Sequence, residues 1–181
     1  MTARPQRHLL ILGVIAMAVI VTASNFLVQF PINDWLTWGA FTYPVSFLVT
    51  DLTNRALGTA VARRVVYLGF ALAVLLSIAL ATPRIALASG AAFLVAQLLD
   101  VFIFDRLRQA RWWQAPLVSS ALASLLDTLL FFSLALAMTG LPWVTWALGD
   151  YAVKLAMALA LLIPFRALMV ATQPRPRGSV T

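Results

Sequence analysis

The chain has 181 residues, 62% hydrophobic and only 10% charged, with a mean hydropathy of +0.94. Soluble domains carry about 45–50% apolar and about 25% charged residues, so the composition excludes a soluble enzyme, a disordered chain and a nucleic-acid-binding domain. The net charge of +7 and the pI near 11.3 are therefore read as a report of membrane orientation, not as a DNA-binding face.

A helix crossing about 30 Å of hydrocarbon needs about 20 mostly apolar residues. Six segments fit: Leu9–Phe30, Leu36–Leu52, Val65–Thr82, Ile85–Phe104, Trp113–Met138 and Trp143–Val170. The first is too long for the apolar core of a signal peptide and lacks a small-residue cleavage site. It carries Asn25 and Gln29, four residues apart, toward its far end. The second is short, contains Tyr43 and Pro44, and ends in the polar run from Thr50 through Asp51 and Asn54 to Arg55. Such an interruption survives at membrane depth only where protein or a water-filled cavity shelters the backbone.

The fourth segment carries Gln97 and Asp100 on one helix face with Phe93 and Phe104. The fifth places Ser120, Ser124 and Asp127 on one face, with Thr128 adjacent. The sixth carries Asp150 and Lys154 at the spacing and order that favour an ion pair. Ionisable residues in a span cost about 2.5–3.5 kcal/mol each on insertion scales, so they face a bundle interior and do something there. Asp127 has no cation nearby in sequence, so its partner comes from another helix or from a ligand. Ser120 and Ser124 have two readings, small-residue packing between helices or ligand contact. Asp51 with Arg55 reads as a second pair near the inner face, and Asp105 and Asp34 as loop charges.

Placing the N-terminus inside puts eleven arginines in inner segments and Arg84 alone outside, the positive-inside pattern. Both termini are then cytoplasmic. Trp35, Trp38, Trp143 and Trp146 fall at outer ends and Trp112 and Trp113 at an inner end, as an aromatic belt does. Residues 1–172 form one transmembrane domain, and the Pro-containing tail 173–181 is expected to be disordered.

Catalytic chemistry has little to work with. There is no Cys and no Glu, and the one His is His8. Disulfides, thiolate chemistry, His-based triads and His-ligated metals lose their basis, and no metal or cofactor is expected. Walker A, H-E-x-x-H and G-x-S-x-G motifs are missing, so the chain does not read as an enzyme. An interior of carboxamides, hydroxyls and carboxylates suits a polar, neutral or cationic ligand. It does not suit a phosphate.

Three stretches, Thr42–Gly58, Ala96–Arg108 and Ser119–Phe132, carry a resemblance. They contain Pro-x5-Thr-Asp-Leu at Pro44, Gln-x2-Asp at Gln97 and Ser-x3-Ser-x2-Asp-Thr at Ser120. From about Asn25 to Pro164 the chain resembles the queuosine precursor transporter family, also called the vitamin uptake transporter family. The resemblance implies an all-α, six-span protein of the bacterial inner membrane, similar in fold to the substrate-binding components of energy-coupling-factor (ECF) vitamin transporters. It implies import of 7-deazapurines such as 7-cyano-7-deazaguanine.

On that reading Asp127 meets the amine edge of the substrate and Gln97 and Asn25 its other polar groups. Asp100 is the alternative carboxylate, and Ser124 shares the face of Asp127. Asp51, Asn54, Asp150 and Lys154 serve a gate or a structural role. The alternative is a binding component that needs a separate ATP-driven ECF module. Such components often carry Ala-x3-Ala in span one. Here the nearest spacing is Ala18-x3-Thr22, so an ECF partner is not favoured. An intramembrane aspartyl protease is disfavoured because glycines of the kind that flank its catalytic acids are missing.

Overall fold

The computed structural model describes residues 3–77 and 82–172, in eight helical segments. These are α1 (Ala3–Leu27), α2 (Gly39–Thr42), α3 (Val45–Leu57), α4 (Thr59–Ser77), α5 (Pro83–Arg106), α6 (Gln114–Leu136), α7 (Trp143–Ala160) and α8 (Leu162–Thr172). The expected tail 173–181 and the far end of the third expected span, 78–81, lie outside the described residues. Five stretches are long and apolar enough to cross a membrane: Arg7–Leu27, Thr59–Leu76, Pro83–Arg106, Gln114–Leu136 and Trp143–Val170. The chain is an all-helical, multi-pass membrane bundle.

Its polarity is inverted relative to a soluble domain. Leu12, Val19, Leu75, Leu87, Leu129, Leu148 and Ile163 are exposed, while Asp51, Asn54, Gln97, Asp100, Asp127, Asp150 and Lys154 are buried. Hydrocarbon offers no hydrogen bonds, so polar groups turn inward and apolar ones outward. α5 runs along α6 and α1 along α4 as the most extensive helix pairings. Met17, Phe47, Val65, Phe93 and Val101 fill the core beside small residues such as Ala62, Ala96 and Ala123, and small residues let helices approach closely.

The second expected span departs from the sequence reading. It is two helices, α2 and α3, broken at Tyr43–Pro44, and it runs on past Leu52 to Leu57. Pro44 has no N–H to give a continuous helix, and its ring would crowd the carbonyl four residues back. The polar run that reads as a helix end is helical instead, with Thr50, Asp51, Thr53 and Asn54 buried. Thr50, Asp51 and Asn54 find partners on α5 and α6, and Thr53 donates to the Val49 carbonyl of its own helix, so tertiary contacts hold a segment that sequence polarity would end. Gly58, at φ +87°, stops α3 and starts α4 at once. Pro164 acts similarly on the sixth span: α7 ends at Ala160, the residue whose carbonyl the Pro164 ring would meet.

The loop between α1 and α2 is folded back on itself by Ile32 N–H donating to the Leu36 carbonyl at 2.7 Å. α7 docks beneath it. Trp146 Nε1 donates to the Asn33 carbonyl at 3.2 Å and Thr145 Oγ1 to the Asp34 carbonyl at 2.8 Å. Asp34, expected as a loop charge, thus lies in a docked loop. Gly149 makes the approach possible, because a Cβ there would stand 2.0 Å from the Trp35 carbonyl oxygen. Gly149→Ala is expected to push α7 off this loop and destabilise the protein by about 1–3 kcal/mol. A lower thermal midpoint than the wild type in detergent checks it.

Candidate functional site

Lys154 on α7 sits among acids. Its Nζ lies 2.7 Å from Asp127 Oδ2 and 2.6 Å from Asp150 Oδ2, and it donates to Thr128 Oγ1 at 3.0 Å. Thr128 donates to Asp150 Oδ2 at 2.8 Å, and Tyr43 Oη donates to Asp127 Oδ1 at 2.7 Å. The ammonium also lies 4.9 Å from the centre of the Tyr43 ring, within cation–π range. Lys154 and both acids are buried. Two carboxylates against one ammonium leave one formal negative charge. The sequence shows the Asp150–Lys154 pair through its four-residue spacing. It does not show that Lys154 also answers Asp127, 27 positions away.

A small cavity opens beside this cluster, with Ser24, Asn25, Tyr43, Ser89, Asp127 and Lys154 among its walls, together with Val28, Gly39, Phe131 and Asp150. Its free volume is about 30 Å³, well below the about 300–1,000 Å³ of formed small-molecule sites, so a ligand larger than a water or two needs the walls to move apart. Ser89 Oγ donates to Asn25 Oδ1 at 2.5 Å, and Ser24 and Thr42 share a hydroxyl–hydroxyl bond of 2.8 Å. A second, smaller cavity of about 10 Å³ lies on the other side of the α2–α3 break, with Pro44, Asp51, Ser120, Ser124, Lys154 and Phe165 on its walls. Tyr43 faces the first cavity and Pro44 the second, and Lys154 borders both.

Of the residues singled out from sequence, Asp127, Asn25, Asp150 and Lys154 come together on the first cavity. Ser124 and Asp51 lie on the second. Gln97 borders neither. It ties α5 to α3, accepting from Thr50 Oγ1 at 2.5 Å and donating to Ser46 Oγ at 2.8 Å. Asp100 is fully buried beside Asp51 and also borders neither. Asn54 lies in a knot at the opposite end of α3. Its Nδ2 donates to the Val101 carbonyl at 3.2 Å, and its side-chain and backbone oxygens accept from Arg108.

Two expected charge assignments need correction. Arg55 does not pair with Asp51. It donates to the Arg108 carbonyl at 3.0 Å, and Asp51 instead accepts from Ser119 and Ser120. Asp105 is exposed, as a solvated charge is, but it lies in the last turn of α5 and not in a loop. It pairs with Arg108 at 3.2 Å and accepts from Thr59 Oγ1 at 2.7 Å. The four-residue spacing of Asp51 and Arg55 suggests a pair, but partners from other helices win.

Tyr43, Thr128 and Ser89 were not chosen from sequence as site residues. Ser89 had a signal, since Ser89, Phe93, Gln97 and Asp100 share one face of α5, and all four are buried. Tyr43 had only its hydroxyl beside a helix-breaking proline. Among the described residues no group of three or more His, Cys, Asp or Glu is placed to hold a metal ion.

The family described as "Putative vitamin uptake transporter" matches residues 37–82 and 75–169. The chain belongs to the vitamin uptake transporter family. It is 35% identical to the "Queuosine precursor transporter" of Escherichia coli K12 over 81% of its length and 79% of that protein's. It is 36% identical to the "Probable queuosine precursor transporter" of Haemophilus influenzae Rd over 80% of its length and 79% of that protein's. It is 30% identical to a protein of the same description in Bacillus subtilis 168, over 68% and 67%. No solved structure gives a significant match. The relatives are named as transporters, in keeping with a chain whose motifs offer no enzyme chemistry.

Removing Lys154 leaves two buried carboxylates without their cation. Breaking one side of a buried ion pair costs about 3–5 kcal/mol. Lys154→Met is therefore expected to lower the thermal midpoint sharply. Adding Asp127→Asn and Asp150→Asn to it is expected to restore much of the loss, as thermal unfolding of the single and triple variants in detergent would read.

Proposed function

We propose that this protein imports queuosine precursors, 7-deazapurines such as 7-cyano-7-deazaguanine or 7-aminomethyl-7-deazaguanine, across a bacterial inner membrane without a partner module. The observation that carries the reading is the buried Asp127 carboxylate, fixed by Tyr43 and Lys154 on the wall of a polar-lined cavity. A deazaguanine presents a ring N–H and an exocyclic amine along one edge. A carboxylate accepts both in a dry site and has lone pairs left beyond those used by Tyr43 and Lys154. The substrate carbonyl meets a donor, Lys154 or the Asn25 amide. Tyr43 and Phe131 offer aromatic surface for the flat ring. The names of the relatives support the substrate class.

The positive-inside count supports cytoplasmic termini, so the substrate enters at the side of the Pro31–Thr37 loop. Secondary transport or facilitated uptake fits the two cavities that meet at Lys154: a broken helix between them is a recurrent moving part of transporters. The lack of Ala-x3-Ala in α1 supports action without an ECF module. Gln97 acts in this reading as a positioning residue that holds α3 against α5, and Ser124 as a wall of the inner cavity.

Labelled 7-cyano-7-deazaguanine supplied to proteoliposomes holding only this protein tests the reading. Saturable uptake is expected, and binding without uptake would point instead to a component that needs an energising partner. Asp127→Asn keeps the shape and loses a charged acceptor, a change worth about 1.5–3 kcal/mol. Affinity should fall by about tenfold or more, measured calorimetrically on protein whose thermal midpoint is checked alongside. Unchanged affinity would remove Asp127 from the binding site.

A further inference from the structure

Asp51 on α3 and Asp100 on α5 meet carboxyl against carboxyl behind the inner cavity. They are 2% and 0% exposed. Asp51 receives two long hydroxyl contacts, from Ser119 at 3.4 Å and Ser120 at 3.3 Å. Ser119 touches both acids but has one proton to give. Among the described residues, no donor stands in hydrogen-bond geometry with either oxygen of Asp100. A fully buried carboxyl with both oxygens unanswered is aimed at something that the side chains alone do not supply.

Among the described residues, no cation of the surrounding helices fills that place. Arg7 and His8 on α1, Arg63 and Arg64 on α4, and Arg166 on α8 are exposed. On α3, Arg55 is spent on the Arg108 carbonyl. On α5, Arg106 is exposed over the Phe102 ring, and Asp105 is paired with Arg108 in the loop that follows. α6 contributes Asp127, and α7 contributes Asp150 and Lys154, which are bound to one another. Two ionised carboxylates in contact repel strongly where water is excluded. One proton between them converts the contact into an O–H···O hydrogen bond and gives Asp100 a partner.

We propose that the Asp51–Asp100 pair is the site of one transported proton, taken up from the substrate-entry side and released through the inner cavity. The inference rests on the importer reading above. It assigns the driving ion, which that reading leaves open. The proton leaves water on one side, joins a carboxylate oxygen of the pair, and passes to water on the other; no bond of the substrate changes. Asp51 borders the inner cavity together with Lys154, and Lys154 also borders the outer one. A substrate that draws on Asp127 alters the hold on Lys154, and so alters the charge facing the proton site.

The test is uptake of labelled 7-cyano-7-deazaguanine into proteoliposomes, read two ways. Counterflow at equal pH reports substrate movement alone. Accumulation under an inward proton gradient of one pH unit reports coupling, with a limit of about tenfold for one proton per neutral substrate. Wild-type protein is expected to do both. Asp100→Asn is expected to keep counterflow and to lose accumulation.

Wild-type counterflow without gradient-driven accumulation would overturn the proton site and leave the importer reading standing. So would accumulation driven by sodium, or accumulation retained by Asp100→Asn. Absence of counterflow in the wild type would overturn the importer reading and this inference with it. If Asp100→Asn does not fold, the wild type still decides. Adding substrate to lightly buffered protein should change the number of protons bound, seen with a pH-sensitive dye. No proton exchange at any pH where substrate binds would overturn the proposal.

Discussion

The bundle depends on one buried cation. Lys154 stands between Asp127 and Asp150 and within reach of Thr128 and the Tyr43 ring, so it joins α7 to α6 and to the end of the short helix α2. Every other part of the site takes its position from this junction. Tyr43 is oriented by the carboxylate that Lys154 holds, and the two cavities are separate because Lys154 and the Tyr43–Pro44 break lie between them. In hydrocarbon neither a charge nor a broken helix survives alone. Here the charge is answered from three sides, and the break lies where its exposed backbone is sheltered.

The same constraint explains the rest of the interior. Gln97 uses both ends of its amide to clip α5 to α3, with Ser46 and Thr50 completing the contact. Asn54 does the same one turn further on, against Val101 and Arg108. Gln97 reads from sequence as a ligand contact and Asn54 as a gate or structural residue, and in the fold each satisfies one helix with another. The polar groups that border the two cavities are Ser24, Asn25, Tyr43, Ser89, Asp127, Asp150 and Lys154 on one side of the break and Asp51, Ser120, Ser124 and again Lys154 on the other.

Much of this architecture was legible in the sequence, because span length and apolar content are local properties. Five of the six expected spans appear close to where hydropathy put them. The second did not, because Thr50, Asp51 and Asn54 look like the end of a span unless their partners on α5 and α6 are known. The facing of α5 was readable from spacing, and so was the Asp150–Lys154 pair. The attachment of Lys154 to Asp127, the displacement of Arg55 from Asp51, and the place of Tyr43 were not. Each depends on which helices stand side by side, and no spacing within one helix encodes that.

The knot at the far end of α3 has a mechanical consequence. Asn54, Arg55 and Thr59 are tied to Arg108, Val101 and Asp105, so the end of α3, the start of α4 and the α5–α6 turn are bolted together. The opposite end of the same span carries the Tyr43–Pro44 break and a helix of only four residues. A segment clamped at one end and jointed partway along works as a lever with a fixed fulcrum. Its swing falls on α2 and the folded loop before it, while the clamped arm keeps Asp51 and Thr50 in register with α5. A rearrangement hinged at this break would fall on the rim of the cavity that Tyr43 borders and would leave the polar seam between α3 and α5 intact.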